Sequence, residues 1–371
     1  MRYSPLRSSH QGYHDHSICI FTCMSIFIVS FAFLGGFIYY SNFYRESQFP
    51  KLIDHSEARE AFREFIHTYK KLYSNKEEKE YRFSIFKNNF NRINDINRQN
   101  FKFKLGINHL ADLSDEEYRQ FYLKPHKYQI QPEDIKYSKH KNLNKNYSDA
   151  KINHAKYLPP IKDQGMCGSC WTFGCIGAVE GLYNIRNSKT NPPSSFSEQE
   201  IVDCTYNKSQ YGNVMGCEGG DYYQGYEYII KNGISASTDY PYLAVDEPCK
   251  TPGTPKLFIN GKQLIEPSHQ DYMLTNLTNQ PLSVSLAADH VNFRFYKSGV
   301  VTHGCGLDLD HDVLLMGADT LDDTKFWLIR NSWGPAWGDQ GYIRLERFYN
   351  LHPGICGEAL HAGYPIINSK F

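Results

Sequence analysis

Eight of the ten cysteines in this 371-residue chain fall after residue 166, at Cys167, Cys170, Cys175, Cys204, Cys217, Cys249, Cys305 and Cys356. The other two, Cys19 and Cys23, lie in an apolar N-terminal run. A long cysteine-free stretch followed by a cysteine-rich one predicts a disulfide-bonded module in an oxidising compartment. Zinc ligation is the competing reading. Only Cys167 and Cys170 have tight CxxC spacing, and no second pair completes a tetrahedral site. The 40 basic and 40 acidic side chains cancel, so nothing marks a nucleic-acid or polyanion partner, which would need a basic excess.

Residues 18–40 form an uncharged apolar run of 23 residues, enough to cross a bilayer as a helix. A cleaved signal peptide would end in small residues after a shorter run, whereas Phe-Ile-Tyr-Tyr follows Gly36. The expectation is a retained signal anchor with residues 1–17 as a cytoplasmic tail. Flanking charge is nearly balanced, so the disulfide argument sets the topology, with the C-terminal part outside the cytosol. The sequons at Asn146, Asn207 and Asn276 fit that placement. Residues 55–100, without Pro or Gly, read as helical. Within them Glu78, Arg82, Phe86, Asn89, Ile93 and Asn97 share one stripe, with Glu78 and Arg82 spaced to pair across a turn. A strand and turn follow from Phe103, then a helix start at Ser114. Residues 126–150 have a linker composition suited to proteolytic nicking.

The segment Gln164-Gly-Met-Cys167-Gly-Ser-Cys170-Trp171 carries the chemistry. Two glycines before Cys170 permit a tight turn into a helix, and a thiol at a helix N-terminus has its ionisation favoured. His311 opens an apolar run 141 residues after Cys170, and Asn331 lies 20 residues beyond, in Asn331-Ser-Trp333-Gly. A cysteine signature followed by His and Asn at this separation is a nucleophile, a base and an orienting amide.

These motifs resemble the papain family, in particular its cathepsin L-like branch. Glu78 to Asn97 match the family's ERFNIN propeptide pattern, and Gly106, Asn108 and Asp112 match GxNxFxD with Leu110 in place of Phe. The resemblance implies an inhibitory prodomain over 50–125, running through the cleft in reverse, and a peptidase domain over 151–371. Membrane-anchored precursors of this kind resemble those of apicomplexan parasites. The implied fold is α+β: a helical domain carrying Cys170 and a β-barrel-like domain carrying His311 and Asn331.

Carried over by position, Cys170 attacks the scissile carbonyl, His311 is its imidazolium partner, and Asn331 holds the ring. Gln164 and the Cys170 backbone N–H form the oxyanion hole, at ~3 kcal/mol per donor. Trp333 shields the His–Asn bond, Trp337 lines the leaving-group side, and Gly219 and Gly220 face extended substrate. The implied disulfides are Cys167–Cys217, Cys204–Cys249 and Cys305–Cys356, leaving Cys175 as a buried thiol. No metal or organic cofactor is implied. The partners are protein or peptide substrates, the prodomain and, through 18–40, a membrane. The mature form is expected to be a monomer in a lysosome-like or vacuolar lumen, or extracellular.

Several positions depart from the family pattern. Lys151-Ile152-Asn153 stands where the mature domain usually opens, and Gly174, in the helix after Cys170, should cost ~1 kcal/mol relative to Ala. The implied S2 pocket, which receives the second residue before the cut, would be lined by Asp221, Ser285, Leu309, Asp312 and His361, with Asp310 beside it. Two carboxylates and an imidazole there favour a cationic side chain. The alternative is that Asp312 turns into a structural hydrogen bond. Two other functions compete with peptide hydrolysis. A silent scaffold would have lost the nucleophile, base or oxyanion donor, and all are present. Acyl transfer uses the same residues and differs only in what resolves the acyl-enzyme.

Overall fold

The computed structural model describes residues 55–123, 150–187, 192–250, 257–348 and 352–368. The expected tail, the anchor at 18–40 and nearly all of the linker lie outside these. Among the described residues no helix is long and apolar enough to cross a membrane.

The helical stretch expected over 55–100 is two helices, α1 (His55–Thr68) and α2 (Lys76–Asn97). The break has local causes. Lys70 takes a left-handed φ of 50°, and Asn75 caps α2 by accepting from the Glu78 N–H. Glu78 then reaches back to the Ser74 N–H and hydroxyl, 2.6 and 2.5 Å away. It is therefore spent at the helix start rather than on Arg82, which pairs with Glu117 at 2.7 Å. The stripe itself is real: Phe86, Asn89 and Ile93 are buried, and Asn89 Nδ2 donates to the carbonyls of Ala111 and Leu113. Strand β1 (Phe103–Leu105) and helix α3 (Asp115–Tyr122) follow, the latter opened by a Ser114–Glu117 capping box.

The catalytic region has two hydrophobic cores. One surrounds α4 (Cys170–Arg186), α5 (Glu198–Thr205) and α6 (Tyr222–Asn232), with Trp171, Ile176, Val179 and Tyr226 at its centre. The other lies inside a seven-stranded antiparallel sheet ordered β3-β9-β4-β6-β7-β8, with β2 paired to β6. Its strands are β2 (Ile152–Asn153), β3 (Gly261–Ile265), β4 (Leu282–Leu286), β6 (His311–Leu321), β7 (Thr324–Arg330), β8 (Tyr342–Glu346) and β9 (His361–Ile366). Helix α7 (Gln270–Leu277) packs against it. The unusual segment at 151–153 is thus accommodated as a strand, Ile152 opposite Ala318. Three disulfides close, Cys167–Cys217, Cys204–Cys249 and Cys305–Cys356, the pairs that the family resemblance implies.

The prodomain is no loose appendage. Phe62, Phe83, Phe86 and Leu110 belong to the same apolar cluster as Phe293, Trp333 and Val284 of the barrel half. Strand β1 pairs antiparallel with β5 (Tyr296–Gly299), completing a two-stranded sheet between prodomain and barrel. Arg294, 2 % exposed, donates to the Leu110 and Leu113 carbonyls and pairs with Asp115 at 2.9 Å.

The loop before β9 contains a fully buried carboxyl, Glu358, which accepts from the Cys356 N–H at 3.0 Å. Burial pushes its pKa up to about 7, against the pull of backbone N–H donors. Its ordinary value is 4.5. The folded state therefore favours the protonated group, and that stabilisation is complete below about 4.5 and lost as pH rises through about 7, a loss of ~3 kcal/mol. Thermal denaturation of a Cys170→Ser chain should give a Tm lower at pH 8 than at pH 5. Glu358→Gln should reduce that difference, the remainder coming from buried Glu198, which is also raised to about 7; an unchanged slope refutes the assignment.

Candidate active site

Cys170 is the first residue of α4, and His311 is the first of β6, so the expected nucleophile and base come from a helix and a strand remote in sequence. Both are buried, at 4 % and 0 % exposure. Asn331 follows the end of β7, which pairs with β6, and its Oδ1 lies 2.7 Å from His311 Nε2. An amide oxygen only accepts, so Nε2 carries the proton and Nδ1 is left to exchange one with the thiol. The Ser332 N–H also donates to that oxygen, at 2.8 Å, which fixes the amide's orientation.

Trp333 is fully buried with its ring 4.7 Å from His311. Its indole N–H and the Ser332 hydroxyl both donate to Gln164 Oε1, at 3.1 and 2.7 Å. That turns Gln164 Nε2 toward the cleft, where it donates to the Cys167 carbonyl at 3.0 Å and lies 3.5 Å from the Tyr122 carbonyl. A prodomain carbonyl thus stands at the oxyanion donor. The rings of Tyr118 and Tyr122 meet Trp333 edge-on, and the Tyr118 hydroxyl donates to the Ala288 carbonyl. Trp337 is buried against Trp333 and Phe293, its N–H donating to the Arg294 carbonyl.

The thiol of Cys170 is not activated in this state. Burial pushes its pKa well above the usual thiol range, and the Asp312 and Asp310 carboxylates push it further, against backbone N–H donors of Asp312 and Trp171. The helix N-terminus alone does not overcome this desolvation. Cys175 is fully buried, and burial raises its thiol too.

The residues assigned to S2 divide. Asp221, Ser285, Asp312 and His361 form one cluster, because Ser285 sits opposite Asp312 on β6 and opposite His361 on β9. Ser285 donates its hydroxyl to Asp312 Oδ1 at 2.5 Å, so His361 Nδ1, 2.9 Å from that hydroxyl oxygen, carries a proton and donates to it. Asp312 Oδ2 accepts from the Tyr222 N–H at 3.2 Å, which is the structural hydrogen bond weighed as the alternative. Asp221 caps α6, accepting from the Tyr223 N–H, with His361 Nδ1 3.7 Å from its other oxygen. Leu309 stands apart, against the Gly357 backbone, and Asp310 accepts from the Ala288 and Asp289 N–H groups. Gly219 and Gly220 are half-buried; any side chain at 220 would strike the Trp171 ring. Sequence reading missed Ser332, which orients Gln164, and Tyr222, whose ring lies 4.8 Å from His361. Neither gives a local signal, since each acts on a residue remote in sequence.

A buried, neutral thiol should be slow to alkylate. At pH 7 Cys170 in the intact chain should react with iodoacetamide at least ~10²-fold more slowly than in the processed enzyme, since the thiolate is the nucleophile. Peptide mass mapping over time measures this, and equal rates contradict it.

Residues 145–366 match the papain family cysteine protease model, and residues 62–118 match the cathepsin propeptide inhibitor domain. The chain is 36 % identical over 306 residues to the senescence-specific cysteine protease SAG39 of Oryza sativa subsp. japonica, covering 80 % of this chain and 87 % of that one. It is 38 % identical over 308 residues to vignain of Vigna mungo, covering 79 % and 81 %. Among solved structures it resembles the recombinant stem bromelain precursor, with TM-score 0.72, 32 % identity, and coverage of 84 % of this chain and all of that one. The ragweed pollen allergen Amb a 11 in its proform gives TM-score 0.73 at 28 % identity, covering 86 % and 98 %. With a papain family cysteine protease domain, a cathepsin propeptide inhibitor domain ahead of it, and relatives at 36–38 % identity over most of the chain, this chain is a papain-family cysteine endopeptidase built as an autoinhibited zymogen.

Proposed function

We propose that this zymogen is held at a membrane through residues 18–40 and, once processed within 126–150, cleaves peptides with Arg or Lys preferred over Leu two residues before the cut. The observation that carries the preference is charge. Asp221 and Asp312 are buried together beside His361, Asp312 accepting from Ser285 and the Tyr222 N–H and Asp221 from the Tyr223 N–H. A cationic side chain entering that region meets net negative charge in a poorly solvated setting.

In the reaction, Cys170 Sγ forms the bond to the scissile carbonyl carbon. His311 takes the thiol proton at Nδ1 and returns it to the leaving amine. Asn331 keeps Nε2 protonated, and Gln164 Nε2 with the Cys170 N–H receive the oxyanion once the Tyr122 carbonyl has left. Water then resolves the thioester. The uncharged run at 18–40 and the disulfides support an anchored precursor facing a vacuolar, lysosome-like or extracellular space. Of the sequons, Asn207 is exposed, whereas the Asn276 amide donates within α7 to the Tyr272 carbonyl. Asn207 is the one we assign as glycosylated.

Paired peptides that differ only by Arg or Leu at that position should show a kcat/KM ratio of ~10 or more favouring Arg; a Leu preference overturns the reading. The Asp312 charge also favours imidazolium at the adjoining His311, so Asp312→Ala should move the alkaline limb of the rate profile to lower pH. An unmoved limb contradicts that.

A further inference from the structure

Two departures from the family pattern meet in space. Gly174 is on α4, one turn beyond the nucleophile, and Asp312 follows the base on β6. A Cβ built at Gly174 would lie 3.3 Å from the Cβ of Asp312 and 3.5 Å from the Val313 N and O. Helix and strand therefore approach to near backbone contact at this point. The same face of α4 presents Gly177 to Leu314 and Gly181 to Pro281, at spacings of 3 and 4 residues.

Around this contact runs a set of buried polar links between the two cores. Strand β4 supplies two hydroxyls on one face. Ser283 donates to the Gly174 carbonyl at 2.6 Å, and Ser285 donates to Asp312 at 2.5 Å. From the helical half, the Tyr226 hydroxyl lies 2.6 Å from Ser283 Oγ, and the Tyr222 N–H donates to Asp312 at 3.2 Å. Asp312 is 1 % exposed, and Ser283 and Ser285 are fully buried. One carboxylate thus bonds to an adjacent barrel strand and to the first turn of a helix in the other half, directly beside His311.

We infer that Asp312 is a positioning residue: its carboxylate clasps the helical half to the barrel half and sets His311 in register with Cys170, and Gly174 is the seat that gives it room. Leu314 and Met316 of β6 join the apolar cluster of α4 farther along the strand, and the contact next to thiol and imidazole is the polar one at Asp312. A displacement of about 1 Å between reacting groups is enough to cost ~10²-fold in rate. The clasp stands on these contacts and not on the substrate preference proposed above.

The experiment is a set of variants of the full chain, processed to the mature enzyme and assayed on one peptide with Leu two residues before the cut, with kcat expressed per titrated active-site thiol. Gly174→Ala should lower kcat ~10-fold with KM within about 2-fold of the parent, and Asp312→Ala should lower kcat ~10- to 100-fold. A role in stability alone would lower the Tm and the yield of titratable enzyme while leaving kcat per thiol unmoved. Asp312→Asn keeps the shape and an acceptor oxygen for Tyr222 and should retain at least about a third of kcat on this neutral peptide, while losing any Arg preference. The double variant Gly174→Ala with Asp312→Gly should be no slower than Asp312→Gly alone, because the side chain that the new methyl would strike is gone. The inference is overturned if kcat per thiol in Gly174→Ala and Asp312→Ala stays within about 2-fold of the parent. It is equally overturned if the two single effects multiply in the double variant. If Asp312→Ala does not fold, the Gly174→Ala result and the double-variant comparison decide alone. Loss of Arg preference in Asp312→Asn with kcat retained supports clasp and charge separately, and loss of kcat in Asp312→Asn without change in preference counts against both.

Discussion

The structure depends on bringing the N-terminus of one helix against the first residue of one strand. Cys170 is placed by α4, whose apolar faces are held in the helical core, and His311 is placed by β6, whose neighbours β4 and β7 hold it in the sheet. The two cores share β6, whose Val313 and Leu315 face the sheet's core while Leu314 and Met316 face the helical one. The proposed catalytic pair lies where they meet, and beside it the contact is built from glycine, serine and one carboxylate, with Leu314 packed against Gly177 farther along. Small residues allow the close approach, and the hydroxyls satisfy polar groups that such an approach would otherwise strand in a dry interface.

The same cleft is silenced by conventional packing. The prodomain shares a continuous apolar cluster with the barrel half, adds a strand to β5, and threads Arg294 into the carbonyls of its own turn. Among the described residues, what reaches the proposed site is small: one carbonyl beside Gln164 Nε2 and two tyrosine rings on Trp333. The Cys170 thiol itself is buried, and burial makes it costly to ionise.

How much of this could be read from sequence follows the range of each interaction. Cys170, His311, Asn331 and Gln164 stood out because the chemistry restricts residue type and the motifs around them are contiguous. The capping box at Ser114 and the buried stripe of α2 were local and legible too. The break at 69–75 was not, because a charged segment without Pro or Gly gives no stop signal; Lys70 bears the left-handed turn that Gly or Asn usually marks. The Glu78–Arg82 pairing satisfied helical spacing, yet Arg82 found a better-placed partner on another helix. Spacing shows which groups can meet on a helix and says nothing of competitors outside it.

Gly174 illustrates the limit most sharply. Considered within its helix it is a defect of ~1 kcal/mol, since glycine is less favourable than alanine there. Across the interface it is the condition for a carboxylate to lie beside the base, because a methyl at that position would press on Asp312. Asp312, considered alone, suggests only a polar pocket. The meaning of each is set by the other, 138 positions away in the chain. A pair of unusual residues at matched positions on the two elements that carry the chemistry is therefore better read as one feature than as two tolerated departures, and that feature holds the nucleophile and its base at working distance.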